Sequence, residues 1–140
     1  MSNNLQIVKQ FVSDFYHSKP SDLKTLVNEG FTFSSNLSEF LGFGYQLNID
    51  QYLEYSNHYY HFLKARDQSI ISDDGVVFTV RFVLEVAAAK NARLVELIGL
   101  ATITTTIDGH IDNVQICHFD DFAQYKRLRE LKKTVSLFAF

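Results

Sequence analysis

The chain has 140 residues, of which 46% are hydrophobic and 21% charged, the composition of one soluble globular domain that can bury a core. Its single cysteine excludes an internal disulfide, and no stretch approaches the roughly 18 apolar residues that a membrane span needs. Because the N-terminal segment lacks a basic start followed by an apolar run, we expect no secretory signal and a cytoplasmic protein.

The charge is divided unevenly along the chain. Residues 1–121 carry 8 Lys/Arg and 15 Asp/Glu, a net charge of −7, whereas residues 122–140 carry 5 and 1, a net charge of +4. Because phosphate binding needs a basic surface, the acidic body argues against nucleic acid as a partner. This change of charge divides the chain into a body over residues 1–121, whose helical and strand periods predict an α+β domain, and a basic amphipathic C-terminal helix with an apolar end over residues 122–140.

That basic tail could lie on an anionic membrane surface or bind a partner protein. We expect instead that it packs on the acidic body or on a second subunit, because its apolar end would otherwise remain exposed.

The N-terminal residues have the period of helices. Apolar side chains from Leu5 to Tyr16 recur at helical spacing and predict an amphipathic helix of about three turns, with Asn3 or Asn4 as its cap. Pro20 cannot continue that helix but suits the first turn of a second, short helix, which Gly30 ends.

The middle of the chain contains one strand, one loop and one helix. Phe31–Ser34 alternates and predicts a short strand, and Asn36–Asn48 predicts a loop. The loop is rich in aromatic residues, so it is either the lid of a pocket or a cap on the core. The third helix is predicted to run from Asn48 to about Arg66, and Asn48 with Gln51 has the spacing of a capping box.

From Asp67 onward the period is two, which is typical of strands. The turns between these strands are predicted at 72–75, at Lys90-Asn91 and at Asp108-Gly109, the last a two-residue hairpin turn that needs positive φ. The predicted strands span Ser69–Ser72, Val76–Ala88, Leu94–Ile107 and His110–Phe119.

The last two turns determine which side chains share a face of the sheet. Counting outward from them places Phe82 opposite Gly99, and Gly99 opposite His118. The inner face is then apolar until its end, where His118 and Asp120 point the same way because they are two residues apart. A β-bulge in these strands would move both residues to the other face.

Two other polar pairs have a structural explanation. His58 and His61 are three residues apart on the predicted third helix, but no third metal ligand is evident near them, so we expect a solvated helix face. Glu85 and Glu96 oppose each other on the outer face of the sheet, where like charges are unfavourable. Arg81 lies one step diagonally away and could relieve this repulsion.

Two segments resemble the nuclear-transport-factor-2-like superfamily, in particular its SnoaL-like branch. SKPSDLKTLVNEGFTF resembles the family's second-helix region leading into the first strand, and TTTIDGHIDNVQICHFDD resembles its final hairpin. The resemblance covers about residues 5–121. It implies an α+β fold in which a cone-shaped, curved antiparallel sheet wraps around a long helix, with two further N-terminal helices, a cystatin-like architecture. It also implies an internal pocket and often a homodimer through the sheet.

The superfamily includes ketosteroid isomerases, polyketide cyclases, dehydratases and non-catalytic binders, so the fold does not choose an activity. In several of its enzymes a polar residue on the last strands does acid–base work, and His118 and Asp120 match by position. Its isomerases also use a pocket tyrosine as an oxyanion donor. The candidate tyrosines here are Tyr16, Tyr52, Tyr55 and Tyr59.

We therefore expect a small apolar molecule bound in an internal pocket of a homodimer, with no cofactor and no metal ion. The 13 Phe and 7 Tyr suit such a pocket, although a plain aromatic core is the commoner explanation for them. Acid–base catalysis by His118 and Asp120, of isomerase, cyclase or dehydratase type, is the sharper hypothesis. The alternative is a non-catalytic protein-interaction or dimerisation module acting through the sheet face and the tail. The expected ligand-binding residues are Tyr16, Phe33, Phe40, Tyr52, Tyr59, Phe78, Phe82, Gly99 and Ile116.

Overall fold

The computed structural model describes residues 3–13, 20–59, 63–87 and 94–118. The predicted tail at 122–140 lies outside these ranges. No helix in the described ranges is long and apolar enough to cross a membrane. The elements in chain order are α1 (Asn3–Ser13), a 3-10 helix (Pro20–Thr25), β1 (Val27–Ser35), α2 (Asn36–Phe40), β2 (Gln46–Leu47), α3 (Ile49–Tyr59), β3 (Leu63–Asp73), β4 (Val77–Ala87), β5 (Leu94–Thr105) and β6 (Ile111–Cys117).

The strands form one curved six-stranded sheet in the order β2-β1-β6-β5-β4-β3. Neighbouring strands are antiparallel except β1 and β6, which are parallel. The predicted α+β fold class is confirmed, and the one parallel pair makes the sheet mixed. That pair joins the N-terminal part of the chain to the final hairpin, since β1 and β6 are about 80 residues apart.

The predicted register of β4, β5 and β6 is confirmed. Phe82 lies opposite Gly99, and Ala101 lies opposite Ile116. Alternate residues of these strands therefore point to the helices and are buried, as the apolar pattern requires. The buried inner face of β4, β5 and β6 comprises Phe78, Val80, Phe82, Leu84, Leu97, Ala101, Ile103, Val114 and Ile116.

The turn between β5 and β6 differs from the predicted two-residue turn. Thr106 N donates to His110 O at 2.8 Å, and Gly109 N donates to Thr106 O at 3.2 Å, so the loop has three residues. Gly109 has φ +84°, the left-handed conformation that such a loop requires. Asp112 is the extra residue of a bulge beside the turn. Because the extra loop residue and the bulge compensate each other, the pairs beyond them keep their predicted partners.

The predicted second helix is wrong in its second half. The 3-10 helix spans Pro20–Thr25 and β1 begins at Val27, so Gly30 lies inside a strand. The cause is pairing with the final hairpin, since Ile111 N donates to Leu26 O at 2.8 Å. A strand partner about 85 residues away overrides the local helical period.

The predicted third helix begins correctly but is too long. Asn48 N donates to Gln51 Oε1 and Gln51 N donates to Asn48 Oδ1, both at 2.9 Å, so the capping box is confirmed. However, α3 ends at Tyr59, and Leu63–Arg66 forms the start of β3, paired with β4. The backbone groups of this segment are satisfied by the ladder with β4.

The predicted loop at Asn36–Asn48 contains two short elements. Ser35 caps α2, because its Oγ accepts hydrogen bonds from Leu37 N at 3.0 Å and Ser38 N at 3.4 Å. The two residues of β2 then pair with the end of β1. These elements escaped prediction because they are too short to show a period.

Helix α1 is tied to the sheet by a side chain that was predicted to cap it. Asn4 Nδ2 donates to Gly75 O at 3.1 Å and to Thr105 Oγ1 at 3.0 Å. Thr105 Oγ1 in turn donates to Val76 O at 2.7 Å. These bonds join the start of α1 to the β3–β4 turn and the end of β5.

Candidate functional site

The end of β6 places the predicted catalytic histidine on the inner face. His118 is fully buried, and its ring meets the Phe82 ring edge-on, with centroids 5.7 Å apart and an interplanar angle of 87°. Its backbone N–H donates to Asn36 Oδ1 at 3.0 Å, which ties the end of β6 to the start of α2. The inward orientation predicted for His118 is therefore what the structure shows.

Gly99 makes room for these two rings. A Cβ atom at this position would lie 2.5 Å from Phe82 Cζ and 2.9 Å from His118 Cε1, distances that real Cβ atoms essentially never show. Gly99 was predicted to line a ligand pocket. The space beside it is instead occupied by the rings of Phe82 and His118.

The buried position of His118 controls its charge. Burial lowers the pKa of the His118 imidazole from 6.5 to about 4, because removal from water disfavours the charged form. The ring is therefore neutral near pH 7, with one donor and one acceptor nitrogen. A neutral imidazole can orient a carbonyl or hydroxyl group, but its pKa is far from the value near 7 that suits general catalysis.

Most of the residues predicted to bind a ligand form a packed core. Phe33 and Tyr52, for example, have ring centroids 4.4 Å apart. Phe40 is half-buried beside this core, while Tyr16 and Asp120 lie outside the described residues. The predicted residues that expose 4% or less of their surface are Phe33, Tyr52, Tyr59, Phe78, Phe82 and Ile116.

The candidate oxyanion tyrosines in the described ranges are also buried. Tyr52 and Tyr55 are fully buried on α3. The Tyr59 hydroxyl donates to Leu41 O at 3.4 Å, and burial raises the pKa of Tyr59 above its usual value. The Tyr59 hydroxyl therefore joins α3 to the end of α2.

An open cleft lies elsewhere on the inner side, between α1 and the edge of the sheet. It has a volume of about 320 Å³ and is lined by residues of α1, β3 and β4. Gln68 Nε2 donates to Val12 O at 3.1 Å, so a hydrogen bond joins its two walls. The described residues that line it are Lys9, Val12, Gln68, Ile70 and Val80.

Irregular pairing of β3 shapes this cleft. The register shifts between Arg66 and Ser69, where Asp67 adopts φ +54°, and shifts again after Ile70. Without the first shift, strict alternation from Leu63 would turn residue 69 inward. With it, Ile70 pairs with Val80 on the inner side. Prediction missed the cleft because a bulge of this kind leaves no clear signal in the sequence.

The cleft and the His118 ring contact neighbouring inward side chains of β4. Val80 and Phe82 are successive inward positions of β4, about 6.6 Å apart along the strand. Val80 lines the cleft and Phe82 contacts the His118 ring.

The outer face of the sheet contains the opposed carboxylates. Glu85 and Glu96 pair directly across β4 and β5, as predicted. Arg66, and not the predicted Arg81, lies between them: Arg66 Nε is 3.0 Å from Glu85 Oε2, and Arg66 Nη2 also contacts Glu96. Arg66 was assigned to a helix in the prediction, so its position on β3 could not be foreseen.

The predicted histidine pair is only partly described. His58 is half-buried, and its ring contacts those of Phe43 and Tyr59, whereas His61 lies outside the described residues. Across the described ranges, no group of three or more His, Cys, Asp or Glu side chains could hold a metal ion.

No protein-family model matches the sequence, and no curated protein matches it either. Solved structures do match. A nuclear-transport-factor-2-like protein of unknown function from Burkholderia pseudomallei has a TM-score of 0.72 at 16% identity, covering 94% of this chain and 98% of that one. The chain has the nuclear-transport-factor-2-like fold.

Two further structures of this fold belong to proteins with a co-crystallised ligand or a named activity. TerC, co-crystallised with polyporic acid, has a TM-score of 0.73 at 14% identity, covering 94% of this chain and 99% of that one. A steroid delta-isomerase from Pseudomonas aeruginosa has a TM-score of 0.66 at 15% identity, covering 99% and 95%. At these identities the likeness shows the fold alone.

Proposed function

We propose that this protein binds a small, mainly apolar molecule in the cleft between α1 and β3. The supporting observation is the cleft itself, whose 320 Å³ falls at the lower end of the roughly 300–1,000 Å³ of ligand pockets. Val12, Ile70 and Val80 give it apolar walls. Proteins of the same fold include one co-crystallised with polyporic acid and a steroid delta-isomerase, which also favours a small-molecule ligand.

A neutral apolar probe tests this proposal. N-phenyl-1-naphthylamine fluoresces on entering an apolar site, and we expect it to bind saturably to the wild-type protein. Ile70→Trp should weaken binding by about tenfold or more, because the larger ring takes up much of the cleft. Ile71→Trp is the matched control, since Ile71 is the next residue of β3 and is 58% exposed. Equal affinities for the two variants, or no saturable binding to the wild type, would contradict the proposal.

The catalytic form of the hypothesis assigns acid–base work to His118 and Asp120. It is supported by the inward placement of His118 beside Phe82. In this form the substrate displaces the Phe82 ring, and the neutral imidazole hydrogen-bonds the reacting oxygen. The reaction would be of isomerase, cyclase or dehydratase type.

Isomerisation of a β,γ-unsaturated ketosteroid, followed by the ultraviolet absorbance of its conjugated product, tests one such reaction. We expect His118→Asn and Asp120→Asn each to reduce turnover by at least about a hundredfold, the usual contribution of a positioned acid or base. Unchanged rates in both folded variants would contradict catalysis by His118 and Asp120. The proposal of ligand binding in the cleft would still stand.

A second candidate function is homodimerisation through the outer sheet face. Ile98 and Leu100 are 37% and 46% exposed there, and Cys117 is exposed opposite Leu100. Light scattering after size exclusion should show a dimer that Leu100→Asp converts to a monomer. Ile107→Asp is the control, because Ile107 is fully exposed at the β5–β6 turn. A wild-type monomer would rule this candidate out.

A further inference from the structure

We infer that the ligand of the cleft is an amphipathic anion, an apolar body bearing one carboxylate or similar acidic group that binds the Lys9 ammonium. This inference rests on the proposed function and adds the charge and orientation of the ligand.

Lys9 is the one charged side chain among the described residues that line the cleft. It is also the one charged residue in α1 as described, Asn3–Ser13. No described Asp or Glu side chain forms a salt bridge with it, whereas Lys24 lies 2.9 Å from Asp50 and Arg66 contacts Glu85. The Lys9 charge is therefore available to a ligand.

The spacing of α1 brings this charge next to the apolar wall. Lys9 and Val12 are three residues apart, so their Cβ atoms lie about 5–6 Å apart on one helix face. Val12 is buried and Lys9 is exposed, which places Lys9 at the rim of the cleft. A lysine at such a rim can lay its methylene stem along apolar surface and keep its ammonium group in water.

Gln68 adds a neutral polar contact on the facing wall. Its Nε2 donates one hydrogen bond to Val12 O at 3.1 Å. A side-chain amide has a second N–H donor and a carbonyl acceptor, so Gln68 can also bind one oxygen of an acidic group. Lys9 and Gln68 then provide donors from both sides of the rim, while Ile70 and Val80 contact the apolar body.

The net negative charge of the surrounding protein restricts where an anionic ligand can bind. Residues 1–121 carry a net charge of −7, so the body as a whole repels anions. An anionic ligand is retained only where a positive group is adjacent to apolar surface. A small acid with one or two rings or a short acyl chain matches both the volume and the single charge.

Two probes with the same aromatic frame test the inference. 8-Anilino-1-naphthalenesulfonate carries one negative charge, and N-phenyl-1-naphthylamine carries none. We expect Lys9→Gln to weaken sulfonate binding about fivefold, the size of one partly screened ion contact, and to leave the neutral probe unchanged. Lys9→Arg should retain tight sulfonate binding, and added salt should weaken it in the wild type but hardly in Lys9→Gln.

Lys64→Gln is the matched control. Lys64 is exposed on β3 and pairs with Glu85, which places it on the outer face of the sheet. This variant should bind both probes as the wild type does. Displacement of one probe by the other should show that they share a site, and Ile70→Trp should weaken both.

The outcomes separate the two proposals. Saturable binding of the neutral probe, with sulfonate binding that is insensitive to Lys9, overturns the anion inference and leaves the proposed function standing. Equal weakening of both probes by Lys9→Gln also overturns it, because the effect would then come from packing rather than charge. Failure of both probes to bind overturns the proposed function itself.

Discussion

At the end of β6 the inner sheet face is closed, whereas beside β3 it is open. Near His118, regular pairing of β4, β5 and β6 presses the Phe82 and His118 rings into the space above Gly99. Along β3, two register shifts break the alternation and leave a cleft against α1. Regular strands bury their inward residues completely, and an irregular edge strand leaves room for a ligand.

The largest effect is expected from emptying the closed region. Phe82→Ala should lower the free energy of unfolding by about 3–5 kcal/mol, because it removes a fully buried aromatic ring. Water admitted beside His118 should raise the pKa of its imidazole back towards 6.5. Urea denaturation measures the first effect, and an NMR titration of the His118 ring protons measures the second. An unchanged His118 pKa in a folded variant would contradict the role of Phe82 in keeping the ring dry.

Protonation of His118 should also destabilise the fold. Its pKa is about 4 in the folded protein and about 6.5 when unfolded, so between these values the unfolded state binds more protons. Stability contributed by the neutral ring is complete above about pH 6.5 and is lost as the pH falls to about 4. The loss should approach about 3 kcal/mol. Denaturation at several pH values measures this loss of stability. In His118→Leu the fall in stability between about pH 6.5 and about pH 4 should be smaller by about 3 kcal/mol.

A smaller effect is expected where the two rings approach Gly99. Gly99→Ala should cost about 1–3 kcal/mol, because the new methyl group overlaps Phe82 and His118. Adding Phe82→Leu should restore part of this loss, which a double-mutant cycle in urea would show. Gly30→Ala is the control, since a Cβ atom there meets nothing within 4 Å. Equal costs at the two glycines would indicate a general backbone effect.

The smallest effect on stability is expected at the open cleft. Gln68→Ala removes the hydrogen bond to Val12 O and should cost about 0.5–1.5 kcal/mol. Binding of the neutral probe should nevertheless change severalfold, because the two walls are no longer held together. Ser69→Ala, at the exposed neighbouring position, is the control for both measurements. A binding constant equal to that of the wild type would show that this bond does not shape the cleft.

The register of the central sheet could be predicted from local sequence signals. Hairpin turns and strict alternation are local signals, and they were enough to place Phe82, Gly99 and His118 together on the inner face. The capping box at Asn48 and Gln51 was equally visible, because both partners lie within one turn of helix.

Other features depend on contacts between distant parts of the chain. The end of α3, the length of β1 and the parallel pairing of β1 with β6 depend on partners far along the chain. The same holds for the position of Arg66 between two carboxylates and for the cleft that Lys9 and Gln68 border. Local periodicity reports which face a residue prefers, but backbone pairing between distant strands decides whether a segment becomes helix, strand or bulge.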